Sequence, residues 1–229
     1  MIGIAGVTMN LPAATLEAYK RWAPLYPPRA HNPLMRAEQR AMVEYWPEVA
    51  GRRALDLACG TGRYSRLLAE TQAAEVVAVD FCVPMLVHVS AARPVCANMM
   101  RLPFANDAFD VVVSGLALGH ATGVEAWMDE VARVLDSGGT LLYSDFHPEA
   151  ARAGLTRSFK DENDIACTVP HRYYDLAAQE KAASAAGLTI EAVHEIRVGF
   201  ELVEQFAKSE EFYRQWHGLS IVLVVRARK

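Results

Sequence analysis

Apolar residues fall in two alternating rhythms along this chain. Short runs read as buried strands: RALDL at 53–57, VVAVD at 76–80, PVCAN at 94–98 and FDVVVSGLAL at 109–118. Helical spacing separates them. Tyr64, Leu67 and Leu68 follow the first run, and Val124, Trp127, Met128, Val131 and Leu135 line one helix face after the fourth. Ser137-Gly138-Gly139 predicts the end of that helix, TLLYSDF at 140–146 a fifth strand, and alanine-rich 173–186 a helix stopped by Gly187. Residues 189–198 and 219–226 predict two more strands.

Strands alternating with helices predict an α/β fold, a mostly parallel sheet with helices on both faces. Such sheets bind ligands beyond the carboxyl ends of their strands. Functional residues are therefore expected at 56–63, 80–85, 98–104, 114–120 and 145–149. Residues 1–50 stand outside the alternation. TLEAYKRWAPLY reads as a helix, prolines 24, 27, 28 and 33 break the chain, and Leu34, Ala37, Ala41, Met42 and Tyr45 share the face of a second helix. This segment is expected as a helical lid over the crevice or as packing beside it, with 51–229 as one compact domain.

Composition narrows the partners. The chain has 229 residues, 52% hydrophobic and 22% charged, which suits a globular domain with a real core. Lys and Arg total 23 against 27 for Asp and Glu, a net charge of −4, which weighs against a nucleic-acid partner. Cysteines 59, 82, 96 and 167 show no CxxC or Cys/His ligand spacing, so neither a disulfide scaffold nor a metal is expected. MIGIAGVTMN lacks the basic start of a signal peptide, and no apolar run reaches membrane-spanning length. The expectation is a cytoplasmic protein, monomer or homodimer, with no membrane partner.

Chemistry concentrates after the first strand, in Leu55-Asp56-Leu57-Ala58-Cys59-Gly60-Thr61-Gly62-Arg63. Glycines at a strand-to-helix turn let a ligand approach the backbone closely; a tight turn alone would also use them. Asp80 ends the second strand, 24 residues after Asp56. A carboxylate there can accept from both ribose hydroxyls of a nucleoside, or cap the next helix. G-x-G-x-x-G is absent, and Asp56 would repel a pyrophosphate but suits a cationic amino group.

The ordered segments LDLACGTGRYS, VVAVDFCVPML, ANMMRLPFANDAFDVVVSGLALGH and EVARVLDSGGTLLYSDF resemble class I S-adenosylmethionine-dependent methyltransferases. The variety resembled includes the ubiquinone/menaquinone C-methyltransferases and the biotin-pathway malonyl-carrier O-methyltransferases. The likeness covers about residues 52–146 and implies a Rossmann-like seven-stranded sheet whose last strand is antiparallel. It implies S-adenosylmethionine as cofactor and S-adenosylhomocysteine as product. By position, Asp56 would hold the methionine amino end, and Ala58, Gly60 and Gly62 the loop beneath the cofactor. Asp80 would take the ribose, Phe81 and Met85 would flank the adenine, and Asn98 and Met99 would meet its edge. Ser114 and Leu116 would pass the methionine moiety, and Tyr19 would lie near its carboxylate. Two positions depart from the pattern: Ala58 replaces a glycine and Asn98 an aspartate. Ala58 is expected to be tolerated unless its φ is positive.

Methyl transfer from a sulfonium needs alignment and dryness, and needs a base only when the acceptor must lose a proton. His120 and His147 follow the fourth and fifth strands and are the candidate bases; each could equally be structural. Trp22, Tyr26, His31, His171 and Tyr173 are candidates for the acceptor wall. Tyr19, Trp22 and Tyr26 also fit a packed helix face. The long connection 149–172 carries Arg152, Arg157, Lys160 and Arg172 beside Asp161, Glu162 and Asp164, so it reads either as an anion-holding segment or as a solvated face. The expected function is methyl transfer to O, N or C of a small metabolite. Its rivals are carboxyl methylation of a carrier-bound acyl chain, and a non-catalytic cofactor-binding module.

Overall fold

The computed structural model describes residues 11–199 and 214–229. Helices α1 (Leu11–Trp22) and α2 (Pro33–Glu44) come first. Asn32 caps α2 by accepting from the Met35 N–H, and Pro33 sets its first turn. Next are β1 (Arg53–Leu57), α3 (Arg63–Glu70), β2 (Glu75–Asp80), α4 (Val83–Leu86), β3 (Arg93–Cys96) and β4 (Phe109–Gly115). Then come α5 (Val124–Val134), β5 (Leu135–Phe146), α6 (Pro148–Arg152), β6 (Ser158–Lys160), β7 (Ala166–Thr168), α7 (Leu176–Ala185), β8 (Thr189–Arg197) and β9 (Ser220–Arg228).

Seven strands form one sheet in the order β3-β2-β1-β4-β5-β9-β8, and β6 pairs with β7 in a separate hairpin. The pairs β1–β2, β1–β4, β2–β3 and β4–β5 are parallel, while β9 runs antiparallel to both β5 and β8. Strand order reverses beside β1, which opens a crevice at the carboxyl ends of β1, β2 and β4.

The strands read as continuous apolar runs because both faces are covered. Trp127, Met128 and Val131 of α5 pack with Ala182 and Ala183 of α7 against Leu55, Val77, Val112 and Leu141. On the other face, Met35, Ala41 and Met42 of α2 join Tyr64 and Leu68 of α3 against Val111, Val113, Leu142 and Val224. Of the two expectations for residues 1–50, packing describes α2, whose buried face joins the core against the sheet. Among the described residues of the segment, Thr15, Leu16 and Tyr19 of α1 and Tyr26 after it line the crevice.

Two boundaries also differ from expectation. Ser137-Gly138-Gly139 does not end α5. Leu135 already pairs with Phe109, and the two glycines sit in an irregularity of β5. Helix α7 begins at Leu176, where the Asp175 side chain accepts from the Ala178 N–H, rather than at 173. The connection 149–172 contains most of α6 and the β6–β7 hairpin.

Ala58 has φ +57°, in the left-handed region. A Cβ there is strained by about 1–2 kcal/mol, partly offset by the chain entropy that glycine loses on folding. Ala58→Gly should therefore stabilise the fold by about 0.5–1 kcal/mol. The check is the urea midpoint, and a lower midpoint in the variant would contradict the strain.

Candidate active site

A cavity of about 210 Å³ opens at the sheet edge where β1, β2 and β4 end. Its floor is the turn after β1, with Ala58, Cys59, Gly60 and Thr61, and α1 lies across it with Thr15, Leu16 and Tyr19. Gly60 has φ +55°, and a Cβ added to it would meet no protein atom within 4 Å. The glycine thus keeps free the space that a ligand would use.

Two carboxylates face this space under different constraints. Asp56, 1% exposed, accepts from both the N–H and the hydroxyl of Ser65 at 2.7 and 2.6 Å, all through one oxygen. Burial pushes its carboxyl up to about 6 against the pull of those two bonds. Asp80 accepts from Gly60 N–H with one oxygen and from Cys82 N–H with the other, each at 2.8 Å. Burial raises its pKa too, opposed by these backbone donors. Asp56 is therefore oriented by the first turn of α3, and Asp80 by the backbone of the turns after β1 and β2.

Tyr19, Asp56, Ala58, Gly60, Asp80, Phe81, Met85, Asn98, Met99 and Leu116 all line the cavity, as do Tyr26 and His120. Asn98 is exposed and its side-chain oxygen already accepts from the Met100 N–H. The remaining candidates lie elsewhere. Gly62 stands behind the wall at φ +83°, capping α3. The Ser114 hydroxyl is buried and donates to the Leu57 carbonyl, so Gly115 and Leu116 form the wall in its place. His147 points away and caps α6, its Nδ1 accepting from Glu149 N–H at 3.1 Å and its Nε2 3.7 Å from Glu195. The Tyr173 hydroxyl donates to the Leu155 carbonyl over a different surface depression. Trp22 stacks on Phe159 of the hairpin at 4.6 Å, and His31 packs edge-on to Tyr26. His171 lies behind His120, with Nε2 3.1 Å from Asp145 Oδ1, in space left by Gly119; a Cβ there would come within 2.2 Å of the ring.

His120 faces the cavity but is not a free base. Its Nε2 lies 2.9 Å from the Tyr19 hydroxyl and 3.0 Å from Arg157 Nη1. A guanidinium only donates, so Nε2 is the acceptor and the ring proton sits on Nδ1. Burial, then the nearby Arg157 and His171, hold the imidazole pKa well below its ordinary value. The Nε2 lone pair that a base would use is thus already engaged.

Pattern reading missed the cluster that ties these parts together. Glu38 of α2 is fully buried, and its carboxylate accepts from Arg63 Nη1 at 2.6 Å, the Tyr64 hydroxyl at 2.7 Å and the Ser144 hydroxyl. Ser144 Oγ in turn accepts from the Leu116 N–H. Arg63 and Tyr64 crowd Gly115, where an added Cβ would come within 2.3 Å of the tyrosine ring. The only signal in the sequence was an acid among the apolar positions of a helix face.

Residues 55–143 match the family described as methyltransferase domain. The chain is 39% identical over 106 residues to malonyl-[acyl-carrier protein] O-methyltransferase of Halorhodospira halophila, covering 43% of this chain and 36% of that protein. It is 35% identical over 112 residues to demethylmenaquinone methyltransferase of Beutenbergia cavernae, covering 47% and 46%. Over this segment the chain resembles the S-adenosylmethionine-dependent methyltransferases. S-adenosylmethionine is the cofactor of that class. The fold agrees with the crystal structure of an S-adenosylmethionine dependent methyltransferase from Mesorhizobium loti, at TM-score 0.68 and 24% identity over 84% of this chain and 98% of that one. The matches span less than half the length of either curated relative named here.

Removing one partner of the buried Glu38 cluster leaves an uncompensated charge. Glu38→Ala should cost about 3–5 kcal/mol, and Glu38→Gln less, because the amide oxygen still accepts hydrogen bonds. Chemical denaturation of both variants checks the ranking; an alanine variant within about 1 kcal/mol of the parent would refute the cluster's role.

Proposed function

We propose that this domain transfers the methyl group of S-adenosylmethionine to O, N or C of a small-molecule acceptor. The observation that carries the reading is the pair Asp56 and Asp80, which line one cavity with the open Gly60, the first held by Ser65 of α3 and the second by the N–H groups of Gly60 and Cys82. Asp80 would take the ribose hydroxyls, and Phe81 and Met85 would flank the adenine, with Asn98 and Met99 at its edge. Asp56 would hold the methionine amino group. Leu116 and Gly115 would wall the reacting end. The cofactor supplies an electrophilic methyl with its own leaving group. The chain's residues supply orientation and dryness. Tyr19, held to His120, would close the side opposite β1.

With the His120 lone pair engaged, the reading assigns no general base to the cavity. The acceptor must then arrive nucleophilic, or lose its proton after attack. A rival reading is carboxyl methylation on a carrier-bound acyl chain, and the malonyl-carrier relative favours it. A carrier needs a basic docking face, and Lys160, the exposed lysine of the hairpin, is already paired with Asp164 at 2.7 Å. We therefore favour a free small molecule. We place the reaction in the cytoplasm, in a monomer or homodimer, without nucleic acid. Among the described residues the four cysteines are free, and no helix is long and apolar enough to cross a membrane.

Three outcomes test the reading. Asp80→Ala should weaken S-adenosylmethionine binding by about one to three decades in calorimetry, the loss of two charge-assisted hydrogen bonds; unchanged affinity would remove Asp80 from the site. Binding should also weaken as pH falls through about 6, because protonated Asp56 no longer attracts the amino group. A flat profile between pH 7 and pH 5 (about one unit either side) would contradict that pairing. Cofactor should slow hydrogen exchange in α1 and the β6–β7 hairpin more than in β8. Equal exchange with and without cofactor would leave both as plain packing.

A further inference from the structure

Two guanidinium groups line the cavity, those of Arg63 and Arg157. They differ in one respect. Arg63 is neutralised by Glu38 at 2.6 Å. Arg157 is 8% exposed and has no carboxylate within ion-pair distance among the described residues. Its Nη1 donates to the Leu116 carbonyl at 2.6 Å and to His120 Nε2. The guanidinium lies between the rings of Tyr19 and Phe146, with centroids 5.7 and 5.4 Å away. Asp145, the neighbouring acid, is turned to His171. A buried cation is costly unless paired, and cation–π contacts and two neutral acceptors compensate only part of that cost.

Its neighbours are the other half of the observation. Of the four basic residues in the 149–172 connection, Arg152 and Lys160 are exposed, and Arg172 donates to the Ala121 carbonyl. Arg157 alone among them is aimed into the cavity. It stands at the β4–β5 side, across from Asp80 at the end of β2. Its Nε and Nη2 edge makes no hydrogen bond among the described residues, and that edge fits two oxygens side by side. The residues against it are Tyr19, Phe146, Leu116 and His120, and the cavity lining as a whole is largely apolar.

We propose that Arg157 is the specificity residue for the methyl acceptor, and that the acceptor carries a carboxylate on an apolar body. The inference rests on the methyltransferase reading and deepens it. A single free guanidinium matches a monoanion. A phosphate dianion would need a second cation, and Arg63 is already committed to Glu38. Placed on the hairpin that packs against α1 through Phe159 and Trp22, Arg157 also couples acceptor binding to closure of the cavity mouth.

The test uses the whole chain saturated with S-adenosylhomocysteine, titrated calorimetrically with phenylacetate, methyl phenylacetate and phenyl phosphate. Binding of S-adenosylhomocysteine is measured first; its failure in the parent protein sinks the methyltransferase reading and is distinct from any failure of the acceptor titrations. Phenylacetate should bind at least about tenfold more tightly than its neutral ester or the phosphate. Arg157→Gln should weaken phenylacetate about ten- to a hundredfold while S-adenosylhomocysteine affinity stays within about threefold. Arg157→Lys, which keeps the charge and loses the fork, should fall between. Three results would overturn the proposal: no phenylacetate binding by the loaded parent protein, ester or phosphate binding as tight as the acid, or an equal loss of S-adenosylhomocysteine in Arg157→Gln. The last would give the guanidinium to the cofactor's own carboxylate.

Discussion

The buried carboxylate of Glu38 is the joint on which the rest depends. It comes from α2, outside the alternating part of the chain, and reaches α3 through Arg63 and Tyr64 and β5 through Ser144. Through the Ser144 hydroxyl it reaches the backbone N–H of Leu116, at the end of β4. One charge with no exposed surface thus fixes the start of the helix behind the turn after β1 and the backbone of the opposite wall. A buried ion pair adds little net stability over apolar packing, but it is unforgiving of misplacement. Such a constraint suits a site where position matters more than strength. Leu116 shows the consequence: it is held at φ +57°, a strained conformation for a leucine, by bonds to its N–H and its carbonyl.

The crevice divides along the sheet. On the β2 side stand the acid that would hold a ribose and the apolar pair Phe81 and Met85, all within a few residues of one strand end. On the β4–β5 side stand Tyr19, His120 and Arg157, drawn from three separate segments and bonded to one another. The first group is made by the turns of the sheet itself, the second by what α1 and the hairpin bring to it. This division explains why the chemistry of the second group is not that of a free base. Arg157 and Tyr19 both donate to the one available nitrogen of His120, so the imidazole fixes the two donors that would face an acceptor.

Legibility in the sequence followed the same division. The strand runs, the turn from Asp56 to Arg63 and Asp80 could be placed because each depends on local pattern and a fixed offset. Direction could not. Ser114 and Gly115 are adjacent, yet alternation along β4 turns the serine inward to Leu57 and leaves the glycine at the wall. His147 follows its strand as predicted, but its imidazole serves as a helix cap. Arg157 was one of four indistinguishable basic residues until the hairpin fold buried it alone. Glu38 was hidden because its partners lie 25, 26 and 106 residues away. Ala58 was the one departure whose cost depended on a single backbone angle, and that angle is positive.

The most direct measurement is a crystal structure of the chain grown with S-adenosylhomocysteine. The account predicts the ribose hydroxyls on the Asp80 carboxylate, the adenine between Phe81 and Met85, and the sulfur beside Leu116 with the open edge of Arg157 facing the space beyond it. A ligand seated elsewhere, or one lying in this crevice with its ribose away from Asp80, would contradict it.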